Sequence, residues 1–173
     1  NRNIMDNFKI ILMLCNWGPY TAFQTLQDNG APIPAEIKMI RIPCTGRVNK
    51  SLLFKAFEMG ADGVALAGCA PGTCRHGSGT NAASQNTDDT REILEILGLG
   101  KERMRLATFL PDDSDLLLQF LKDFCRDIKL LGKSPVVPVE KTKPEIADKQ
   151  ILADIISSHD VYACQDCGKC SST

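Results

Sequence analysis

The sequence predicts an α/β fold with an open parallel sheet, and three observations lead to this prediction. Short runs rich in Ile, Val and Leu are typical of buried strands. Each run is followed by turn residues and then by apolar residues at helical spacing. The alternation of strand and helix occurs four times, and right-handed crossovers join such units into a parallel sheet. The chain is therefore expected to form a flavodoxin-like or Rossmann-like three-layer αβα domain with a C-terminal extension.

The first two strands are predicted over residues 9–14 and 37–42, with a helix over residues 20–29 between them. Cys15 follows the first strand directly. Cys44 follows the second strand after one proline, which lacks an N–H group and is therefore suited to the end of a strand. Both cysteines are thus expected at the carboxyl ends of neighbouring strands.

The second helix and the third strand follow Cys44. The helix opens after Thr45-Gly46, and its predicted inward face consists of Val48, Leu52, Ala56 and Phe57. The third strand covers residues 63–67 and leads into a long loop predicted over residues 68–86. Long loops of this kind in compact domains are usually functional.

The last elements of the domain are a helix, a strand and a helix. The third helix is predicted over residues 88–97, with Ile93, Leu94 and Leu97 inward, and the fourth strand over residues 104–109. The fourth helix begins at 111–113, where acidic residues favour the positive end of a helix. Its predicted inward stripe is Leu117, Phe120, Leu121, Phe124, Ile128 and Leu131.

Length and charge limit the domain organisation and the partners. Residues 1–132 are expected to form the α/β domain, and residues 133–173 a linker, a short helix and a cysteine-containing tail. The net charge of -1 provides no basic field for nucleic acid or a membrane surface. No apolar stretch is long enough to span a membrane and no signal peptide is visible, so a cytoplasmic location is expected.

Four of the eight cysteines lie near the ends of three successive predicted strands. Carboxyl ends of parallel strands meet at one edge of the sheet, so Cys15, Cys44, Cys69 and Cys74 are expected in one crevice. Thiolates bind zinc and iron–sulfur clusters. The spacing of Cys69 and Cys74 is shared with plant-type two-iron centres, which favours a [2Fe-2S] cluster.

Other interpretations of these thiols remain open. They could hold a structural zinc ion in an interaction domain, or Cys69 and Cys74 could form a thiol oxidoreductase pair. Buried cysteines also occur simply as small apolar residues, which is the preferred interpretation for Cys125 in the fourth helix. His76, beside Cys74, is a weaker candidate ligand because four cysteines are already available.

Residues near the cysteines are candidates for tuning a cluster. Backbone N–H groups of glycines can approach sulfur without a Cβ atom in the way, and such hydrogen bonds raise the reduction potential. Arg47 and Arg75 are expected to offset the negative charge of a cluster. The candidate glycines are Gly18, Gly46, Gly68 and Gly72.

The tail contains a second set of cysteines. Cys164, Cys167 and Cys170 have the spacing that opens a ferredoxin run, in which a fourth cysteine would follow Thr173. A [4Fe-4S] cluster is therefore expected here in an intact protein, with the present chain cut inside the motif. A mobile tail with unpaired thiols or a zinc knuckle are the alternatives.

Several segments together carry a family resemblance. The chain resembles the delta (D) subunit of methyl-viologen-reducing, F420-non-reducing hydrogenase, in order and with similar spacing over residues 9–131. The segments are Cys15-Asn-Trp-x-x-Tyr, Arg41-Ile-Pro-Cys44-Thr-Gly-Arg47-Val, Gly60-Ala-Asp-Gly-Val-Ala-Leu-Ala-Gly-Cys69 and Cys74-Arg-His-x-Ser-Gly.

The resemblance implies an electron carrier rather than a self-sufficient catalyst. In that family the domain carries one [2Fe-2S] cluster, here matched by Cys15, Cys44, Cys69 and Cys74. It passes electrons between a hydrogenase or formate dehydrogenase and the flavin-containing A-type subunit of heterodisulfide reductase, where electron bifurcation occurs. The chain departs from the family at Gly18, where a further cysteine is often present.

Overall fold

The computed structural model of the protein describes residues 8–138. These residues form four strands and four α-helices in alternation, with two short 3₁₀ turns at Thr45–Arg47 and Lys101–Arg103. The elements are β1 (Ile10–Cys15), α1 (Gly18–Asp28), β2 (Ile37–Ile42), α2 (Lys50–Glu58), β3 (Gly63–Cys69), α3 (Gly79–Ile96), β4 (Met104–Phe109) and α4 (Ser114–Leu131). The predicted alternation of strand and helix is confirmed.

The strands form one parallel sheet in the order β2-β1-β3-β4. Leu12 on β1 lies opposite Met39 on β2 and Ala65 on β3, and Leu66 on β3 lies opposite Leu106 on β4. This order matches the first four strands of the flavodoxin type rather than the Rossmann type. The chain therefore reverses its direction across the sheet between β1 and β3, and open α/β folds place ligands outside the carboxyl ends of strands at such a point.

Helices cover both faces of the sheet, because the side chains of a strand alternate between its faces. On β1, Ile10 and Leu12 pack in the core beneath α1 and α4. Ile11 and Met13 point the other way, into the core beneath α2 and α3. The predicted three-layer arrangement follows from this two-sided burial.

Strand β2 was expected to be a buried strand, and this expectation is wrong. Its residues are partly or fully exposed, and the side chain of Ile40 is 44% exposed. Strands β1 and β3 are buried along their whole length. An apolar run does not say where its strand lies in the sheet, and the observed order places β2 at an edge.

Helix α3 begins at Gly79 rather than at residue 88, so the loop before it covers only residues 70–78. The predicted long loop is therefore wrong. The first turns of α3 are rich in small polar residues, which are weak helix formers in isolation. They pack against the turn at Thr45–Arg47, and this tertiary contact stabilises a helix that local propensity does not favour.

Several predicted inward positions on the helices are exposed. On α3 the buried residues include Ala83, Thr87, Thr90 and Leu94, which repeat at helical spacing. A helical position shifted by one residue rotates by about 100°, so a small error of phase moves a side chain from core to solvent. The positions predicted inward but found exposed are Leu52, Ile93, Leu97 and Leu131.

Two buried charged residues lie at the amino ends of the strands. The Asp62 carboxylate accepts hydrogen bonds from the backbone N–H groups of Lys9 and Ser134 at 2.8 Å and forms an ion pair with Lys133 at 3.3 Å. This carboxylate therefore joins the start of β1 to the segment after α4.

Arg103 completes this arrangement from the start of β4. Its guanidinium group donates hydrogen bonds to the carbonyl oxygens of Leu99 at 2.8 Å, Asp62 at 3.0 Å and Gly132 at 2.9 Å. Because α4 leaves carbonyl groups without helical partners at its end, Arg103 acts as a buried cap for that helix. We call Asp62 and Arg103 together the amino-end latch.

Among residues 8–138, the structure contains no helix of the length and apolar character that crossing a membrane requires.

Candidate metal centre

The four candidate cysteines lie at the carboxyl end of the sheet. Cys15 is the last residue of β1 and Cys69 is the last residue of β3. Cys44 precedes the turn at Thr45–Arg47, and Cys74 lies in the loop before α3. Cys15, Cys44 and Cys69 are buried, whereas Cys74 is half-buried, and none of the four forms a disulfide.

Cys15 and Cys69 form the first pair of thiols. Their sulfur atoms lie 3.4 Å apart, at the ends of the two strands that flank the reversal point of the sheet. Burial raises the pKa of the Cys15 thiol, and the neighbouring Cys69 adds to this effect. Backbone N–H groups of Trp17 and Thr45 donate to the same sulfur and oppose the rise.

Cys44 and Cys74 form the second pair, next to the first residue of α3. A Cβ atom at Gly79 would lie 2.5 Å from Cys44 Sγ and 2.8 Å from Cys74 Sγ. The two sulfurs interact with each other and enclose the space that a side chain at this position would occupy. Only glycine fits at this point.

A second glycine contact brings α3 close to the turn after Cys44. A Cβ atom at Gly46 would lie 2.6 Å from Gly79 Cα, so the two backbones meet without side chains between them. The hydroxyl of Thr80 also donates a 2.9 Å hydrogen bond to the carbonyl oxygen of Cys69. These contacts attach the start of α3 to both cysteine pairs.

The two thiols of the second pair differ in acidity. Burial raises the pKa of the Cys44 thiol, although the N–H group of Gly46 donates to it. For Cys74, burial also works to raise the pKa, but several hydrogen bonds together outweigh it and the pKa is lowered. The backbone donors to Cys74 are the N–H groups of His76, Gly79 and Thr80. These donors favour the thiolate form, which is the form that binds metal.

Electrostatics link the two pairs. The charge of Cys15 contributes to the raised pKa of Cys44, and Thr45, the residue after Cys44, donates to Cys15. The structure therefore brings the four predicted thiols to one edge of the sheet, in two pairs. Cys69 and Cys74, the predicted oxidoreductase couple, belong to different pairs.

The candidate glycines divide into those near the thiols and those away from them. Gly46 donates to Cys44, as described above, and Gly68 lies inside β3. The atoms around a Cβ at Gly18 would belong to Phe109, Leu110 and Pro111, and a Cβ at Gly72 would have no neighbour within 4 Å. A role for Gly18 or Gly72 at a cluster stays a prediction without a sulfur contact to support it.

The candidate cations lie on the exposed side of the site. Arg47 and His76 line a cavity of about 290 Å³ that also borders Cys44 and Gly79. The guanidinium group of Arg75 stacks over the ring of Trp17, 4.1 Å from its centroid. Arg47 is therefore placed beside a thiol of the second pair, whereas Arg75 lies against an aromatic ring.

Among the described residues, one further cysteine lies outside this site. Cys125 is buried in the core beneath α1 and α4, which confirms the prediction that it packs there. Cys164, Cys167 and Cys170 lie outside the described residues, so the [4Fe-4S] prediction and the division of the chain at residue 132 stay predictions.

Sequence reasoning missed four residues of the site. Gly79 lies against both sulfurs of the second pair. Backbone N–H groups of Trp17, Thr45 and Thr80 donate to thiols. Gly79 closes the stretch Gly77-Ser-Gly79. Its position soon after Cys74 was the available signal, because a glycine near a cysteine permits close backbone approach.

The four thiols lie in two pairs. Within residues 8–138, no group of three or more His, Cys, Asp or Glu side chains surrounds a common point in a way that could hold one metal ion. The thiols instead occupy two neighbouring positions, each with two sulfurs.

Comparison with known proteins adds an independent finding. The family model described as "Methyl-viologen-reducing hydrogenase, delta subunit" matches residues 10–132. The chain is 32% identical over 124 residues to the D-type iron-sulfur subunit of the vhc F420-non-reducing hydrogenase of Methanococcus voltae, covering 72% of this chain and 86% of that protein. It is 30% identical over 123 residues to the D-type iron-sulfur subunit of the F420-non-reducing hydrogenase of Archaeoglobus profundus, covering 71% and 90%.

A longer protein contains a similar segment. It is the A-type subunit of the Ferredoxin/F(420)H(2)-dependent CoB-CoM heterodisulfide reductase of Methanosarcina acetivorans, which is 28% identical over 123 residues. The match covers 71% of this chain and only 16% of that protein. The same type of domain therefore occurs both in small hydrogenase subunits and within a much larger chain.

Proposed function

This chain belongs to the delta-subunit family of methyl-viologen-reducing hydrogenase, and from that premise we propose that it is an electron-transfer subunit carrying one [2Fe-2S] cluster. The matched residues 10–132 include every strand and helix that positions the four thiols. Relatives named as iron-sulfur subunits support an iron–sulfur cofactor in general. The proposed [2Fe-2S] type is based on the arrangement of the four thiols.

The observation that carries the proposal is the arrangement of four thiols as two adjacent pairs. A [2Fe-2S] cluster takes four cysteine ligands, two on each iron. Cys15 with Cys69 and Cys44 with Cys74 supply such pairs. A structural zinc ion would instead take four ligands around a single point, and metal analysis distinguishes it from the cluster.

The cluster would supply the ability to accept and release one electron. The protein's contribution is to hold the thiols, to exclude water from them and to stabilise negative charge. Burial of Cys15, Cys44 and Cys69 excludes water, and the backbone N–H groups that reach the sulfurs would stabilise their charge. The N-terminus of α3 adds its positive dipole at the second pair.

We further propose that the chain relays electrons within a larger complex. The partners proposed are a hydrogenase or formate dehydrogenase on one side and a flavin-containing heterodisulfide reductase A-type subunit on the other. The support is that a domain similar to this chain occurs inside the heterodisulfide reductase protein of Methanosarcina acetivorans. Formate dehydrogenase is proposed from family resemblance alone.

The test is anaerobic purification followed by iron, sulfide and zinc analysis with a visible absorption spectrum. A Cys164→Ser/Cys167→Ser/Cys170→Ser variant isolates the domain from the tail. We expect about two iron and two sulfide per chain in this variant, with a brown colour that dithionite bleaches. Zinc without colour would overturn the cluster and leave a structural interaction domain.

A further inference from the structure

A groove opens directly after Cys15, on the same edge of the sheet as the thiols. It has a volume of about 680 Å³, and its lining includes Trp17, Tyr20, Arg41, Leu110 and Pro111. We call it the Trp17 groove. None of the described residues that line it is acidic. It adjoins the proposed cluster but contains none of the four thiols.

The arginines around this edge have no carboxylate partner within residues 8–138. Every ion pair of the described chain involves other cations, such as Arg105 with Asp127 and Lys50 with Asp89. Arg41, Arg47 and Arg75 are exposed and form no such pair. Unpaired positive charge is therefore concentrated beside the thiols, although the whole chain has a net charge of -1.

Aromatic rings hold two of these guanidinium groups in place. Arg41 lies 4.2 Å from the centroid of the Tyr20 ring, and its Nε donates a hydrogen bond to Asn16 Oδ1. Arg75 lies over Trp17, whose side chain is 38% exposed. Stacking fixes a guanidinium group before binding, so less conformational freedom is lost when a carboxylate arrives.

The composition and location of the groove indicate a protein partner. Trp, Tyr and Arg are the residues that most often dominate binding energy at protein interfaces. Trp17 lies two residues after Cys15, and Arg75 follows Cys74 directly. An occupant would therefore lie next to both thiol pairs, and electron transfer is fastest across short separations.

We propose that the Trp17 groove docks a partner redox protein through carboxylates that lie beside that partner's own electron-transfer centre. The inference rests on the proposed function, because it assigns the surface through which a relayed electron leaves or enters. Arg41 and Arg75 would receive the carboxylates, and the Trp17 ring would supply the apolar contact between them.

The experiment measures binding of the full chain to the heterodisulfide reductase A-type flavoprotein of its own organism, at low and high salt under anaerobic conditions. Arg41→Gln and Arg41→Glu form a graded charge series, and Trp17→Ser removes the apolar contact. Lys101→Glu is the matched control, because it makes the same charge change at the opposite end of the sheet.

We expect the dissociation constant at low salt to rise in the order wild type, Arg41→Gln, Arg41→Glu, reaching about tenfold for Arg41→Glu. The difference between wild type and Arg41→Glu should shrink at high salt, because salt screens exposed charges. Trp17→Ser should weaken binding at both salt concentrations. The visible spectrum of Arg41→Glu should equal that of the wild type.

Several outcomes would overturn the docking proposal. These are dissociation constants for the Arg41 and Trp17 variants within twofold of the wild type, an equal loss in Lys101→Glu, or no binding by the wild type. Binding that appears only after deletion of residues 139–173 would assign the groove to the chain's own tail. A wild-type chain that binds without a cluster would instead refute the proposed function and leave the groove assignment standing.

Discussion

The two ends of the sheet bury polar groups in different ways. At the amino ends, Asp62 and Arg103 are 3% and 4% exposed, and each is surrounded by several hydrogen-bonding partners from the protein itself. At the carboxyl ends, the buried thiols contact one another. Backbone N–H groups there donate to the sulfur atoms and would stabilise negative charge on them.

The difference indicates what each end does. A buried charge that the protein satisfies completely stabilises the fold and needs no ligand. Thiols that lie in pairs and accept hydrogen bonds from backbone N–H groups are suited to binding a metal centre. We therefore propose that the same sheet has a structural end and a functional end, and substitutions at the two ends should separate stability from cofactor content.

The largest expected effect is at the functional end. Replacing Cys69 or Cys44 with serine removes one proposed ligand of a pair, so we expect loss of the cluster colour and of its bound iron. Iron analysis and the visible spectrum measure this. Cys125→Ala is the matched control, since Cys125 is buried in the core away from the site. An unchanged spectrum in either ligand variant would refute the assignment of that residue.

The next effect is at the structural end. Arg103→Met leaves the partly or fully buried carbonyl groups of Leu99, Asp62 and Gly132 without their hydrogen-bond donor. We expect the free energy of unfolding to fall by about 1–3 kcal/mol, as when buried acceptors lose their donor. Urea denaturation measures the change.

The control for the amino-end latch is an exposed arginine. Arg126 lies on the surface of α4, and Arg126→Met should leave the free energy of unfolding nearly unchanged. Folded Arg103→Met protein should keep a normal iron content per folded chain. A stable Arg103→Met protein that lacks iron would contradict the division between the two ends.

Gly79→Ala should lower the iron content with little effect on stability, whereas Arg103→Met should lower stability and leave the iron content per folded chain normal. The added methyl group would lie 2.5 Å from Cys44 Sγ and 2.8 Å from Cys74 Sγ, so we expect iron content to fall by more than half. Alanine favours the helical conformation, so the free energy of unfolding of the metal-free protein should change by only about 1 kcal/mol.

Gly77→Ala is the control in the same segment. A Cβ atom at Gly77 has no neighbour within 4 Å, although its φ of +73° makes the substitution mildly strained. We expect iron content to remain normal in this variant. Equal iron loss in Gly77→Ala and Gly79→Ala would show that the segment is sensitive to any change, and that contact with the sulfurs is not the cause.

The smallest expected effect is a pH dependence at the structural end. The hydrogen bond from Lys129 lowers the pKa of Glu36 below its ordinary value of 4.5. A lowered pKa in the folded state stabilises the protein above the unfolded pKa, and this stabilisation is lost as the pH falls through the folded value. Glu36→Gln should therefore be less stable than the wild type at pH 7 by about 0.5 kcal/mol.

The measurement for Glu36 is urea denaturation of both proteins between pH 7 and pH 3. The difference in unfolding free energy should decrease as the pH falls below the ordinary Glu pKa and disappear below the lowered pKa of the folded state. Iron content at pH 7 should be the same in both proteins. A difference that persisted unchanged at pH 3 would show that the carboxylate charge is not its source.

Local sequence patterns were sufficient for part of this structure. The bounds of β1, β2 and β4 were predicted to within one residue, because apolar runs and the turns after them are local signals. The positions of Cys15 and Cys69 at strand ends followed directly. Their convergence at one edge followed from the rule that parallel strands end on the same side.

Other features depended on packing between distant segments. The sequence does not say that Cys69 pairs with Cys15 while Cys74 pairs with Cys44, because the strand order decides which chain ends are neighbours. It also does not show that α3 begins at Gly79, because the contact with Gly46 stabilises that turn.

The sequence by itself therefore determined the class of fold, the family and the set of candidate thiols. These depend on composition and on spacing along the chain, which folding does not change. Only the tertiary structure decided the pairing of the thiols, the edge position of β2 and the separation of a structural end from a functional one. Those features arise from contacts between residues far apart in sequence, whose energies no local pattern encodes.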